Sequence, residues 1–535
     1  MADSPASGVQ LAQQSRTDHA IERVATGVAA FIGRTLKGPV NQALPVRSFN
    51  DFQQQFGGLW QPSTLSYAVE QFFENGGREA RIVRVVNAAR PCTITLPAGR
   101  ATLRLVALNP GSREYLRASV DYDGLTAAEH DRFNLVVQRV RTAGSELVED
   151  QEIYRRVSVL QASGRFVADV LLESRLVHLL GEPPPQRPER SGGGPGGVAV
   201  GYTLSNPDGD DGAPLTDYDI IGAAAGATGL FALGGLTRFN LLCIPPLARE
   251  RDVGLSALLV AARLCRERHA LLLVDPPASW TSTRAALDAL RTWPFRSESA
   301  VMYFPRVQAF DRLRGRVEVF GSAAAAAGMI ARSDETWPVW AAAESEEAIL
   351  RPGLRPAVPV SDADRVRLAS AGVNTLVAVR GTRSGTSPRT FAAGGSTSDW
   401  KYLSARRLAL FVAASVEQGT RWVLLEHNGP ATWQRARAQV ELFLDELAAQ
   451  GAFAGLDAQE THFVIADERV NRPQTLAEGK FNLLFGFATS KPGEFDTWLV
   501  THRAGASRVR PVSVNRSATS KQRVEWEIET SILRG

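Results

Sequence analysis

Cysteine is scarce in this chain: Cys92, Cys243 and Cys265 are the only three in 535 residues, far apart and without a CxxC partner. That excludes a disulfide framework and fits folding in a reducing compartment. No uninterrupted apolar run reaches the roughly 20 residues of a membrane span. The polar stretch from Met1 to Arg16 has no apolar segment of the secretory kind, so no signal peptide is read there. Charge of one sign is missing too, with 60 basic against 56 acidic residues and a net charge of +4. A dedicated nucleic-acid binder shows a dominant basic sum, so that class is disfavoured. Phosphate-loop, HExxH, GxSxG and SxxK motifs are all absent.

What is present is an ordinary globular composition, 44% apolar and 22% charged, long enough for two to four domains. Val28–Ile32 reads as a buried strand ended by Gly33. Ser48 caps a helix carrying Phe49, Phe52 and Phe56, stopped by Gly57-Gly58. A second helix carries Tyr67, Val69, Phe72 and Phe73 and ends at Asn75-Gly76-Gly77. Arg81–Val86 is a strand. Residues 91–195 read as mostly β, with strands at 93–96, 115–120, 133–140 and 152–159, and 191–197 as a loop or linker. From 216 to 395 strand and helix alternate, with strands Phe239–Ile244, Ala270–Val274 and Ala300–Phe304 and a helix over about 254–268. Residues 400–500 hold two long helices, Leu403–Gln418 and Thr432–Gln450, and strands at 422–425, 463–466 and 481–488. The segment 501–524 carries six Arg/Lys and no acid. Val524-Glu525-Trp526-Glu527-Ile528-Glu529 then alternates strictly, apolar on one face and acidic on the other, which is a half-buried strand.

Candidate chemistry is thin. Asp275 follows an apolar strand without a phosphate loop, and such residues are common at strand ends. Asn206–Gly212 looks like a calcium loop but has Asp211 where the sixth-position glycine belongs, so a polar turn is the better reading. Cys265 and His269 stand four apart and make two ligands at most. Glu426-His427 has no nucleophile beside it. No catalytic residue, cofactor or metal is therefore assigned. Two terminal segments, one alternating through Gly8-Val9-Gln10-Leu11 and one at 524–529, look built to join a sheet edge elsewhere.

The blocks 26–41, 46–58, 65–85, 208–233, 301–305, 327–334, 372–374, 400–408, 481–488 and 491–495 resemble, in order, those of contractile tail sheath proteins. Trp400-Lys401-Tyr402 through Arg406-Arg407-Leu408 is the most specific of them. The resemblance implies a mixed α/β (α+β) multi-domain protein: an α/β core, an inserted mostly-β outer domain and extended terminal β-arms. The expected divisions are an N-terminal arm over 1–25, core over 26–90, outer domain over 91–200, middle domain over 201–395, tube-facing core domain over 396–503, and a basic linker with a C-terminal strand arm over 504–535. It implies a structural subunit, not an enzyme, that polymerises around an inner tube and contracts to drive that tube through a target membrane. The partners implied are further copies of itself, the inner tube protein, and baseplate and tail-terminator or cap proteins, with neither nucleic acid nor direct membrane insertion. Assembly in the cytoplasm without a signal peptide, as part of a phage tail or tail-like particle, follows. Val9, Leu11, Val524, Trp526 and Ile528 are the expected inter-subunit arm residues, and Arg406 and Arg407 the expected tube-facing ones. A non-polymerising adaptor at the baseplate or cap end stays open, because 320–322 and 338–345 depart from the family pattern.

Overall fold

The computed structural model describes residues 20–192, 201–341, 349–377, 387–392 and 399–512. The described residues fall into two units, one within 27–336 and 343–395 and one within 1–26, 337–342 and 396–535.

The larger unit is organised by seven strands: β1 (Ala29–Gly33), β2 (Ala43–Val46), β3 (Ala80–Arg84), β4 (Leu241–Cys243), β5 (Leu271–Val274), β6 (Ala300–Phe304) and β7 (Asn374–Thr375). Their spatial order is β7-β6-β5-β4-β1-β3-β2. Every neighbouring pair is parallel except β2 with β3. Parallel strands are covered on both faces, which is why they read as continuous apolar runs; β1, β5 and β6 are buried throughout. Residues of 26–90 and of 201–395 thus share one sheet. Its helices include α1 (Phe49–Phe56), α2 (Thr64–Glu74), α3 (Leu255–Glu267) and α4 (Ala323–Thr336). The Ser48 hydroxyl accepts from the Asp51 amide at 3.1 Å, and Gly57 ends α1 at a φ of 92°.

The chain leaves this core after β3 and returns beside its own exit. The Ala213 amide donates to the Asn87 carbonyl at 2.8 Å, and Arg90 and Asp210 exchange two backbone bonds of 2.9 Å. Between those points lie a four-stranded sheet (Thr203–Leu204, Leu116–Asp121, Arg132–Val140, Val148–Ser158) and a three-stranded one (Pro91–Ala98, Ala101–Pro110, Val177–Leu179). Ile94, Leu105, Phe133 and Leu135 belong to their common core. The strand Ala101–Pro110 is not anticipated by the sequence reading, although it alternates.

The smaller unit holds α5 (Leu403–Gly419), α6 (Pro430–Ala449) and an antiparallel sheet of β8 (His462–Ile465), β9 (Phe481–Ala488), β10 (Phe495–Arg503) and β11 (Ala506–Val512), in that order. One sheet face packs Leu483, Phe485, Trp498, Val500 and Val509 against Val412 and Val416 of α5 and Phe443 and Leu444 of α6. The opposite face carries a smaller cluster of Phe463, Ile465, Leu484 and Leu499. Leu403–Leu425 is apolar and long enough to cross a membrane by length and composition. The apolar side chains of its α5 part are spent on this core: Ala409, Val412, Ala413 and Val416 are all 0% exposed.

Two expectations are corrected. Residues 422–425 do not form a strand; Arg421–Leu425 is a 3-10 helix. Only Val423 of that turn is buried, while Leu425 is 91% exposed, so the apolar run has no sheet neighbour. Residues 506–512, read as the start of a basic linker, are the strand β11, paired with β10 from Arg503↔Ala506 to Thr497↔Val512.

Candidate assembly surfaces

The arm residues Val9, Leu11, Val524, Trp526 and Ile528 lie outside the described residues. Arg406 and Arg407 are consecutive on α5. Arg406 is 3% exposed, and its guanidinium sits 4.8 Å over the ring of Trp400. Trp400 in turn meets Trp498 edge-to-face at 6.1 Å. A cation held against an aromatic face in this way braces the helix start. Arg407, one residue on, is half-buried.

The other polar candidates are structural. Asp275 is half-buried and accepts from the Ala323 amide at 2.8 Å, capping α4. Burial raises its pKa, opposed by Arg306 and by backbone donors. Asp208 accepts from the Thr93 amide and hydroxyl at 2.9 and 2.6 Å. Asp211 does the same for Ser112 at 2.8 and 2.7 Å. The two carboxylates are thus tied to the first strand of the inserted domain and to the turn that follows the strand Ala101–Pro110. Among the described residues no group of three or more His, Cys, Asp or Glu could hold a metal. Glu426 lies 3.7 Å from Arg435, and the His427 carbonyl accepts from Thr432 Oγ1, so both residues are tied to side chains in the first turns of α6. All three thiols are free and buried, and burial pushes Cys92 up to about 11.

The sequence reading missed His502, which is 0% exposed on β10. The Thr420 hydroxyl donates to the Val416 carbonyl at 2.7 Å, so its oxygen accepts from His502 Nε2 at 2.8 Å. Nδ1 then accepts from the Ser507 hydroxyl at 2.7 Å. The ring is a neutral bridge between α5, β10 and β11, and burial lowers its pKa to about 4.

The sequence reading also missed a basic groove of roughly 620 Å³ over the second sheet face of the smaller unit. Among the described residues Arg469, Arg472, Lys480, Arg503, Arg508 and Arg510 line it, with Glu478 as the single acid. Asp467 pairs with Arg469 at 2.5 Å, so six cations against two acids leave four positive charges. Period-2 geometry puts Ala506, Arg508 and Arg510 on the groove face and Val509 in the core behind. Among the described residues β11 is the outer strand of its sheet.

No protein-family model matches the chain. A relative assigned as a prophage major tail sheath protein, from Pseudomonas aeruginosa (strain UCBPP-PA14), is 25% identical over 283 residues, 51% of this chain and 69% of the relative. The crystal structure of a sheath tail protein from Listeria innocua superposes with a TM-score of 0.59 at 11% identity, covering 91% of this chain and 97% of that one. The fold is that of a contractile tail sheath protein. The contracted sheath complex of an extracellular contractile injection system matches it at a TM-score of 0.50 and 15% identity, over 92% of this chain and 97% of that one. These relatives are structural sheath proteins, not enzymes. On this sheath fold the hydrogen-bonded carboxylates, the buried thiols and the buried histidine are framework groups, whereas the basic groove beside β11 faces outward.

Proposed function

We propose that the chain is the repeating subunit of a contractile sleeve around an inner tube, in a phage tail or tail-like injection particle. The observation that carries this reading is the sheath fold along nine-tenths of the chain, together with sequence similarity to a prophage sheath protein. The terminal arms, with Val9 and Leu11 at one end and Val524, Trp526 and Ile528 at the other, join sheets of neighbouring copies as added strands. A strand of ~7 residues spans roughly 23 Å, enough to bridge subunits while their bodies move. The position of β11 at the outside of its sheet among the described residues supports the reading, because an added strand needs such an edge.

Contraction then gains interface. At ~25 cal/mol per Å² of apolar area, a few hundred Å² per subunit supplies several kcal/mol, multiplied over many copies. That stored difference drives the tube through a membrane without nucleotide hydrolysis. The start of α5, with Arg407 beside the anchored Arg406, faces the tube through charge pairs that salt screens. Baseplate and cap proteins close the two ends. Electron microscopy of the protein expressed alone tests the main reading. Long hollow ribbed tubes are expected. A monomer or a single closed ring would overturn it in favour of an adaptor at the baseplate or cap end.

A further inference from the structure

The basic groove beside β11 has a specific occupant within the same polypeptide. We propose that in the unassembled subunit the chain's own segment 524–529 lies along β11, with Glu525, Glu527 and Glu529 toward the groove. This rests on the sleeve reading above only for its consequence, that assembly must exchange this contact for a neighbour's.

Four observations converge on it. The groove collects six cations around Glu478. Its Arg508 and Arg510 are two residues apart on one strand, the same spacing as the three glutamates. Alternate side chains on a strand lie ~6.6 Å apart on one face, so acids and arginines at equal spacing form matched cross-strand pairs. The faces also match in kind. If the glutamates face the groove, Val524, Trp526 and Ile528 fall on the other side of the sheet. That side holds Trp498, Val500 and Val509 of the main core. A single placement therefore pairs the charges and extends the apolar core, and a one-residue slip would ruin both.

The edge itself discriminates. Arg508, Arg510 and Pro511 on an outer strand discourage indiscriminate pairing. A strand with an all-acid face relieves the repulsion that blocks others.

The tether decides between the chain's own segment and another copy's. Eleven residues, 513–523, separate β11 from Val524. At ~3.3 Å each they reach ~36 Å, enough to double back. A short flexible linker gives an effective concentration in the millimolar range. Free copies at micromolar concentration compete poorly with that. Packed copies in a growing polymer compete well, and the same contact then passes between subunits, as in domain swapping.

The test is hydrogen exchange on the full chain at sub-micromolar concentration. Amides of 524–529 should exchange at least tenfold more slowly than a free peptide of that sequence, independent of protein concentration. Protection should fall tenfold in Arg508→Glu/Arg510→Glu and shrink between 0.05 and 1 M salt, where the screening length drops from over 10 Å to ~3 Å. Adding Glu525→Lys and Glu527→Lys to the double variant should restore it. Free-peptide exchange in the dilute chain, or protection that grows with concentration, would overturn the proposal. So would protection untouched by the arginine reversals. Electron microscopy separates this from the sleeve reading: tubes without monomer protection refute the latch alone, and protection without tubes refutes the sleeve alone.

Discussion

Gly328 on α4 meets the backbone of Phe72 on α2 so closely that a Cβ at position 328 would lie 2.3 Å from the Phe72 carbonyl oxygen. The all-alanine run Ala323–Ala327 before it is buried throughout. Small side chains let the two helices approach until backbone touches backbone. Gly328→Ala should push them apart and cost about 1–3 kcal/mol by overpacking. Denaturant titration would show a lowered midpoint, and an unchanged midpoint would mean the helices have room to separate.

His502 sets a pH limit on the smaller unit. Its folded pKa is lowered to about 4 from the ordinary 6.5. Above pH 6.5 the ring is neutral folded and unfolded, and the full stability is present. As pH falls from 6.5 toward 4 the unfolded chain takes up a proton that the folded chain refuses, so stability is lost across that window. The loss is about 3 kcal/mol at most. Thermal melts of wild type and His502→Gln between pH 7 and pH 4 should diverge in slope, the variant's being flatter. Equal slopes would assign the acid sensitivity to other groups.

Arg406 and Arg407 should part company when mutated. Arg406→Met removes the cation over Trp400 and should lower stability by about 1–2 kcal/mol. Arg407→Glu should weaken tube binding, most visibly at low salt. Co-sedimentation with the inner tube protein at several salt concentrations measures this. Binding unaffected by Arg407→Glu at every concentration removes α5 from the proposed tube contact.

Removing residues 1–20 or 520–535 should abolish tube formation while circular dichroism reports a folded body. Normal tubes from both truncated chains would refute assembly through the arms.

Much of the framework was legible because local signals and tertiary environment agree. Ser48 and Gly57 bound α1 where the cap and stop chemistry put them, and the apolar runs at 29–33, 271–274 and 300–304 are doubly covered strands. The failures have physical causes. The run at 422–425 has strand composition but no neighbour to pair with. β11 hides its nature because only Val509 enters the core while Arg508, Arg510 and Pro511 give the composition of a linker. The groove brings together Arg469, Lys480 and Arg508 from three separate segments whose facing is set by the sheet and not by local pattern. His502 looks like any histidine until Thr420 and Ser507 close around it.

The junction at Asn87 and Ala213 has a practical corollary. Both crossings of the core boundary are made by adjacent, hydrogen-bonded backbone, so the chain enters and leaves the inserted sheets at one place. A foreign module whose own ends lie a few ångströms apart could be plugged in there without severing the seven-stranded sheet. A filament of such subunits would then be a scaffold displaying one passenger per copy at regular intervals.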